Sequence, residues 1–187
     1  LLAFKSGAAV VTVGHQLQAG GGPAYFHYKI LSALRWSRQL KKAGIESIAV
    51  FWMASEDHDF EEVSRTVGKD SDTFVWTPKM TAGSTPVGRM VWDENAERDW
   101  LAFCERQGLA SERIILQEPG RTIPFVHRMR HWLQSWFHGE DLLVIDGDHH
   151  DLKSIAQPLW EAEWDASGIQ ASLDAQAKQY EQRWGAP

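Results

Sequence analysis

Short apolar runs alternate along this chain with longer stretches whose apolar residues recur every three or four positions. Ala8–Val13 (AAVVTV) is β-branched and bounded by Gly7 and Gly14, which predicts a buried strand. A glycine-rich turn, Gly14 to Gly22, leads to Pro23 at the place of a first-turn proline. The spacing of Phe26, Ile30, Leu31 and Leu34 predicts a helix over Ala24–Ala43, stopped by Gly44. Ser47–Met53 (SIAVFWM) is a second buried strand and runs into the polar block Ser55–Glu62. Strand, loop, helix and strand in this order form a parallel crossover unit, the building block of doubly wound α/β sheets.

Farther on, Thr73–Thr77 and Val87–Trp92 read as strands separated by the Gly/Ser/Thr/Pro segment Thr81–Pro86. Asp93–Gln107 reads as a helix. Thr122 reads as the N-cap of another over Ile123–Phe137, with Val126, Met129, Leu133 and Trp136 as its apolar stripe. Leu142–Ile145 is a third buried strand, ending at Asp146-Gly147-Asp148. Asp151–Asp165 and Ser167–Arg183 are helical, the last polar and rich in Ala and Gln. The expected architecture is α/β: one domain over 1–187, a parallel sheet with flanking helices.

Composition narrows the function classes. With 187 residues, 43% hydrophobic and 24% charged, the chain is long and apolar enough to bury a core. Its single cysteine, Cys104, excludes a disulfide framework and a cysteine zinc site, fits a reducing cytosol, and reads as a packing residue. A net charge of −6 argues against nucleic-acid or anionic-membrane partners. No apolar run approaches the roughly 18 residues of a membrane span. Among ten tryptophans, Trp76, Trp92, Trp100, Trp132, Trp136, Trp160 and Trp164 are expected in core or interface. The chain starts at Leu1 without a signal-peptide pattern, and a piece of a longer protein is expected.

Three segments carry chemistry, and each follows a predicted strand. Gly14-His15-Gln16 with Gly20-Gly21-Gly22-Pro23 opens a helix, where free N–H groups suit a phosphate or carboxylate and His15 can donate. The spacing is not G-x-G-x-x-G, and a turn that merely reverses the chain accounts for the same residues. Glu56-Asp57-His58-Asp59, with Glu61 and Glu62, gathers titratable groups suited to binding an ammonium or hydroxyl, or to acid–base work. The bland account is a solvated helix start. Asp57, His58 and Asp59 are also chemically able to hold a divalent metal, although no metal ligand is assigned. Asp146-Gly147-Asp148-His149-His150 completes the set, with Asp146 at a strand end and Asp148 or His149 as a helix cap. All three segments are expected at one sheet edge.

Smaller signals stay two-sided. Lys29 lies near the loop if its face is right, and a surface lysine fits equally. Arg89 follows Gly88 and suits a bidentate carboxylate clamp or a surface ion pair. His127, His131 and His138 read as helix-surface residues.

The motifs taken together are familiar. Val11-Thr12-Val13-Gly14-His15-Gln16-Leu17, Gly22-Pro23-Ala24-Tyr25-Phe26 with Tyr28-Lys29-Ile30, and Phe51-Trp52-Met53-Ala54-Ser55-Glu56-Asp57-His58-Asp59-Phe60-Glu61-Glu62 resemble the bacillithiol biosynthesis cysteine-adding enzymes. Pro86-Val87-Gly88-Arg89-Met90 and Leu143-Val144-Ile145-Asp146 match later family motifs in order. The resemblance runs from about Val11 to Glu161. It implies a Rossmann-like core related to nucleotidylyltransferases, in a cytoplasmic enzyme that dimerises through a long coiled coil. The helix 167–183 would lead toward that coiled coil. The implied reaction is a ligase's: the cysteine carboxyl joins the amine of glucosaminyl malate in the last step to bacillithiol, with ATP, alone or with Mg²⁺, as the energy source.

On that resemblance the Gly14–Pro23 loop, with Gly14, Gly22 and Pro23, holds a phosphate or substrate carboxylate to which His15 and Gln16 donate, and Lys29 and the strand-end Asp146 belong to the same substrate- or nucleotide-binding set. Glu56, Asp57 and Asp59 orient amino or hydroxyl groups, His58 is the general base, and Arg89 pairs with a carboxylate such as the malate's. Two alternatives stand beside it. One is a metal- or nucleotide-dependent nucleotidyltransferase-like enzyme, and the other a non-catalytic α/β domain that binds a small anion.

Overall fold

A computed structural model describes residues 5–78, 85–109, 122–166 and 168–185. In chain order the elements are β1 (Ala9–Gln16), α1 (Ala24–Lys42), β2 (Ser47–Ala54), the single turn α2 (Phe60–Val63), β3 (Arg65–Val67), β4 (Thr73–Val75), β5 (Val91–Trp92) and α3 (Glu94–Arg106). There follow β6 (Ile123–Pro124), α4 (Phe125–Trp136), β7 (Leu142–Asp146), α5 (His150–Ala166) and α6 (Gly168–Trp184). The chain divides into two compact units, Leu1–Asp148 and His149–Pro187.

The first unit is a Rossmann-like α/β fold. Its main sheet is parallel in the order β1-β2-β7. β1 pairs with β2 from Ala9↔Ser47 to Gln16↔Ala54, and β2 pairs with β7 from Ala49↔Leu142 to Met53↔Asp146. β2 is the central strand, hydrogen-bonded along both edges, and nearly all its residues are buried, as its unbroken apolar run requires. α1 is the crossover; Phe26, Ile30, Ala33, Leu34 and Ser37 are its buried stripe. It ends in a Schellman motif, with Ile45 N–H donating to the Leu40 carbonyl at 3.0 Å and Gly44 N–H to that of Lys41 at 3.0 Å. Gly44 takes φ +80° there, so the glycine stop is real.

Several expected boundaries move. β1 continues through Gln16, so Gly14-His15-Gln16 are strand rather than turn. Val87–Trp92 is not one strand. Val87–Arg89 is a 3-10 turn, because the Val87 and Gly88 N–H groups donate to Asp57 and Ser55 carbonyls beyond β2, and only Val91–Trp92 pairs, with Ile123–Pro124. The Thr73–Thr77 strand ends at Val75 and pairs with Arg65–Val67, three residues too short to show in the apolar pattern. Thr122 does not cap α4: Ile123 and Pro124 are extended, and the helix starts at Phe125 with Pro124 as N-cap. Asp93 does cap α3, its carboxylate accepting from Ala96 N–H at 3.0 Å. Residues 81–84 of the Thr81–Pro86 segment, and Ser167, lie outside the described residues.

Against this sheet sits an aromatic core. Trp76, Trp92, Trp100 and Trp132 are buried with Phe74, Phe103 and Phe125. Ring centroids lie 4.4 Å apart for Trp76–Phe125 and 5.3 Å for Trp92–Phe125. Arg128, 1% exposed, runs through this core. Its guanidinium lies 4.3 Å over the Trp132 ring and donates to Glu97 at 2.5 Å, while Glu97 also accepts from Trp92 Nε1 at 2.6 Å. Cys104 is buried beside it, and burial pushes its thiol pKa up to about 11, so it packs rather than reacts. His127, His131 and His138 are on the surface. The second unit, α5 and α6, leaves Trp160 and Trp164 exposed within the described residues, unlike the buried tryptophans of the first. No helix of the described residues is long and apolar enough to cross a membrane.

Candidate functional site

The parallel sheet brings the carboxyl ends of β1, β2 and β7 to one edge, which is where open α/β sheets bind ligands. His15 and Gln16 close β1, and successive strand residues face opposite sides. Gln16 Nε2 reaches Asp57 Oδ2 at 2.5 Å and Glu62 Oε2 at 3.1 Å. His15 turns toward α1, 5.2 Å from the Tyr25 ring and 5.4 Å from Phe26. Its Nδ1 lies 3.0 Å from the Gln16 carbonyl, which can only accept, so Nδ1 carries the hydrogen. In the neutral ring Nε2 is then the acceptor, and the Tyr25 hydroxyl at 2.8 Å donates to it. One helical turn on, Lys29 Nζ donates to the Gly14 carbonyl at 3.2 Å and sits 4.8 Å over the Tyr25 ring.

Beyond β2 the acidic block divides its labour. Asp57 Oδ1 accepts from the N–H of His58 at 2.7 Å and of Asp59 at 3.1 Å, an Asx turn that shapes the loop. The Gln16 donor, chiefly, and these two N–H groups hold the Asp57 carboxyl below its ordinary pKa. Asp59 is the N-cap of α2, accepting from Glu62 N–H at 3.3 Å. His58 is exposed, and among the described residues no side chain hydrogen-bonds its ring. Glu56 keeps one carboxylate oxygen buried without a hydrogen-bond partner among the described residues. That oxygen lies against Gly147, where an added Cβ would come within 2.4 Å of it and 2.8 Å of the Met53 carbonyl. Glycine is required at 147 for this close approach.

The end of β7 is tied back by Ser55. This fully buried hydroxyl donates to Asp146 Oδ1, and Asp148 N–H donates to Ser55 Oγ at 3.0 Å and to Asp146 Oδ1 at 3.1 Å. The Ser55 carbonyl accepts from Gly88 N–H at 2.9 Å, and a Cβ at Gly88 would lie 2.6 Å from that of Ser55. Arg89, carried on the same turn, grips Asp148 with both Nε and Nη2, the second contact at 3.0 Å. The Asp148 carboxylate is thus the ion-pair partner of Arg89 at the sheet edge, and of the two expected helix caps it is His149 whose side chain accepts a helix N–H. Arg89's guanidinium remains 60% exposed, and the ion pair raises its pKa. His149 and His150 belong to the second unit, where His149 Nδ1 accepts from Asp151 N–H at 3.3 Å.

Gly20, Gly21 and Gly22 all have φ near +70°. Added Cβ atoms would meet Trp100 at 2.4 Å, Phe26 and His27 at 3.0 Å, and Gln18 at 2.0 Å. The glycines let this loop pack tightly on its own protein. Pro23 is the N-cap of α1, one residue before the helix. No group of three or more His, Cys, Asp or Glu side chains gathers as a metal site among the described residues. The structure joins Gln16 to Asp57, His15 to Tyr25, Lys29 to the Gly14 carbonyl, Ser55 to Asp146 and the Asp148 amide, and Arg89 to Asp148. Sequence reasoning gave Ser55 and Tyr25 no role. A serine directly after a buried strand and a tyrosine four positions before Lys29 were the signals.

A three-strand parallel sheet with a helical crossover defines a Rossmann-like domain. Residues 2–186 match the family model described as bacillithiol biosynthesis BshC, N-terminal Rossmann-like domain. Relatives named "Putative cysteine ligase BshC" are 49% identical over 177 residues in Staphylococcus haemolyticus, 32% over 165 in Flavobacterium johnsoniae and 30% over 187 in Koribacter versatilis. These alignments cover 84%, 84% and 95% of this chain, but only 31%, 30% and 34% of the relatives. The chain thus spans about a third of their length, and it belongs to the BshC family of bacillithiol biosynthesis.

Proposed function

We propose that this chain is the Rossmann-like portion of a cytoplasmic ligase that joins the carboxyl of L-cysteine to the amine of glucosaminyl malate, forming an amide in the last step to bacillithiol. The supporting observation is the strand-end edge itself, where His15, Gln16, Lys29, Asp57 and Arg89 are held by named contacts. A free carboxylate does not react with an amine at a useful rate, so the reading requires ATP, with or without Mg²⁺, as co-substrate. Gly14, Gln16, Lys29 and the Gly22-Pro23 turn serve the anionic groups of the reactants. Arg89 offers its exposed guanidinium to a malate carboxylate. Asp57 and Asp59 shape the loop that presents Glu56 and His58 to the amine and hydroxyl groups, and Asp146 fixes the far side of the edge. The full-length protein is a homodimer in this reading.

The test incubates the protein, as its gene encodes it, with cysteine, glucosaminyl malate and ATP. Mass spectrometry after thiol labelling should show bacillithiol and its dependence on all three. Absence of the amide product with intact, folded protein refutes the assignment.

A further inference from the structure

We propose that Tyr25 and His15 form the proton-accepting pair for the amide-forming step, a role that rests on the ligase reading above. Three features of one short chain of atoms carry the inference. The Gln16 carbonyl, 3.0 Å from His15 Nδ1, fixes the tautomer whose Nε2 is free to accept. The Tyr25 hydroxyl, 2.8 Å from Nε2, donates to it and leaves its own oxygen lone pairs open. Tyr25 is 50% exposed and its ring lies 5.2 Å from that of His15 near the end of β1, so a bound molecule can reach that oxygen. Acceptor, oriented imidazole and reactive hydroxyl repeat the logic of a base held by a third group. His58 lacks such an orienting partner among the described residues.

The step balances without another reactant. The amine nitrogen forms its C–N bond to the activated cysteine carbonyl, and the bond from that carbon to its phosphate-bearing leaving group breaks. The amine proton passes to the Tyr25 oxygen as the Tyr25 proton passes to His15 Nε2. The resulting imidazolium keeps its Nδ1–H on the Gln16 carbonyl. The Lys29 ammonium, 4.8 Å from the Tyr25 ring centroid, favours negative charge developing on the phenol oxygen.

The experiment compares wild type with Tyr25→Phe, His15→Ala and the double variant, all as the gene encodes the protein. Tyr25→Phe keeps the ring and its packing, so its melting temperature should be unchanged. Its kcat should fall about a hundredfold or more with KM for both substrates unchanged, the scale of a lost acid–base group. The double variant should be no slower than the slower single variant. A Tyr25→Phe kcat within about twofold of wild type, or multiplicative losses in the double variant, overturns the pair. ¹⁵N-imidazole spectra give a reading independent of turnover. His15 should be protonated on Nδ1 in wild type, with an Nε2 resonance that shifts in Tyr25→Phe. Protonation on Nε2 alone overturns the pair whatever the assay gives. If the spectra agree but wild type forms no amide, the ligase reading falls, and the proton role falls with it.

Discussion

The two sides of the strand-end edge are built on opposite plans. On the β2–β7 side, one buried Glu56 oxygen apart, the polar groups named above satisfy one another: Ser55 holds Asp146 and the Asp148 amide, and Arg89 closes on Asp148. Ser55 is fully buried and Asp148 only 6% exposed. On the β1–α1 side the polar groups are held at one end and open at the other, as in His15–Tyr25 and Lys29. The first plan ties the strand ends together and leaves only the rim, such as the Arg89 guanidinium, exposed; the second holds its polar groups open throughout. Buried polar networks stabilise only when every member is paired, whereas a reacting group has to keep a free position.

The comparison is sharpest when each side is damaged in turn. Gly147→Ala forces a Cβ against the Met53 carbonyl and the Glu56 carboxylate, and should cost about 3 kcal/mol in urea unfolding, the scale of an overpacked site. Ser55→Ala deprives Asp146 and the Asp148 amide of a buried partner, and should cost about 2 kcal/mol by the same measurement. An unchanged midpoint for both would show that the β2–β7 side is not a closed network.

Gln16→Ala acts at the junction of the two sides. Asp57 titrates below its ordinary value of 3.8 because Gln16 donates to it. A depressed folded pKa adds stability that is complete above the unfolded value and is lost as pH falls through the folded one. In Gln16→Ala the Asp57 carboxyl should titrate closer to 3.8 by ¹³C NMR, and the acid-unfolding limb should begin at higher pH. An unmoved Asp57 titration would assign the depression to the loop amides alone. The smallest effect is expected on the open side: Lys29→Ala should change stability by no more than about 0.5 kcal/mol, as surface substitutions do. A larger loss would mean that this side, too, is structural.

Much of the edge is legible without coordinates. Ala8–Val13, Ser47–Met53 and Leu142–Ile145 are apolar runs followed by polar residues, and parallel crossover rules put their ends together. Arg89 is legible as a carboxylate clamp, but its partner is not, because Asp148 lies 59 positions away and only folding joins them. Ser55 is invisible for a similar reason: one hydroxyl carries no periodicity, and its value comes from partners on another strand. Short pairings such as Arg65–Val67 with Thr73–Val75 escape because three residues cannot show alternation.

What the sequence alone determined is the class of fold, the three strand ends and the family, since these rest on local apolar pattern and contiguous motifs. Tertiary structure alone decided which polar groups are spent and which are open. A side chain's hydrogen-bond partners are set by neighbours distant in the chain. Thus Asp57, Asp59 and Asp148, all candidates by residue type, are held by the protein itself, while Tyr25, an ordinary helix residue by pattern, stands at 2.8 Å from an oriented imidazole.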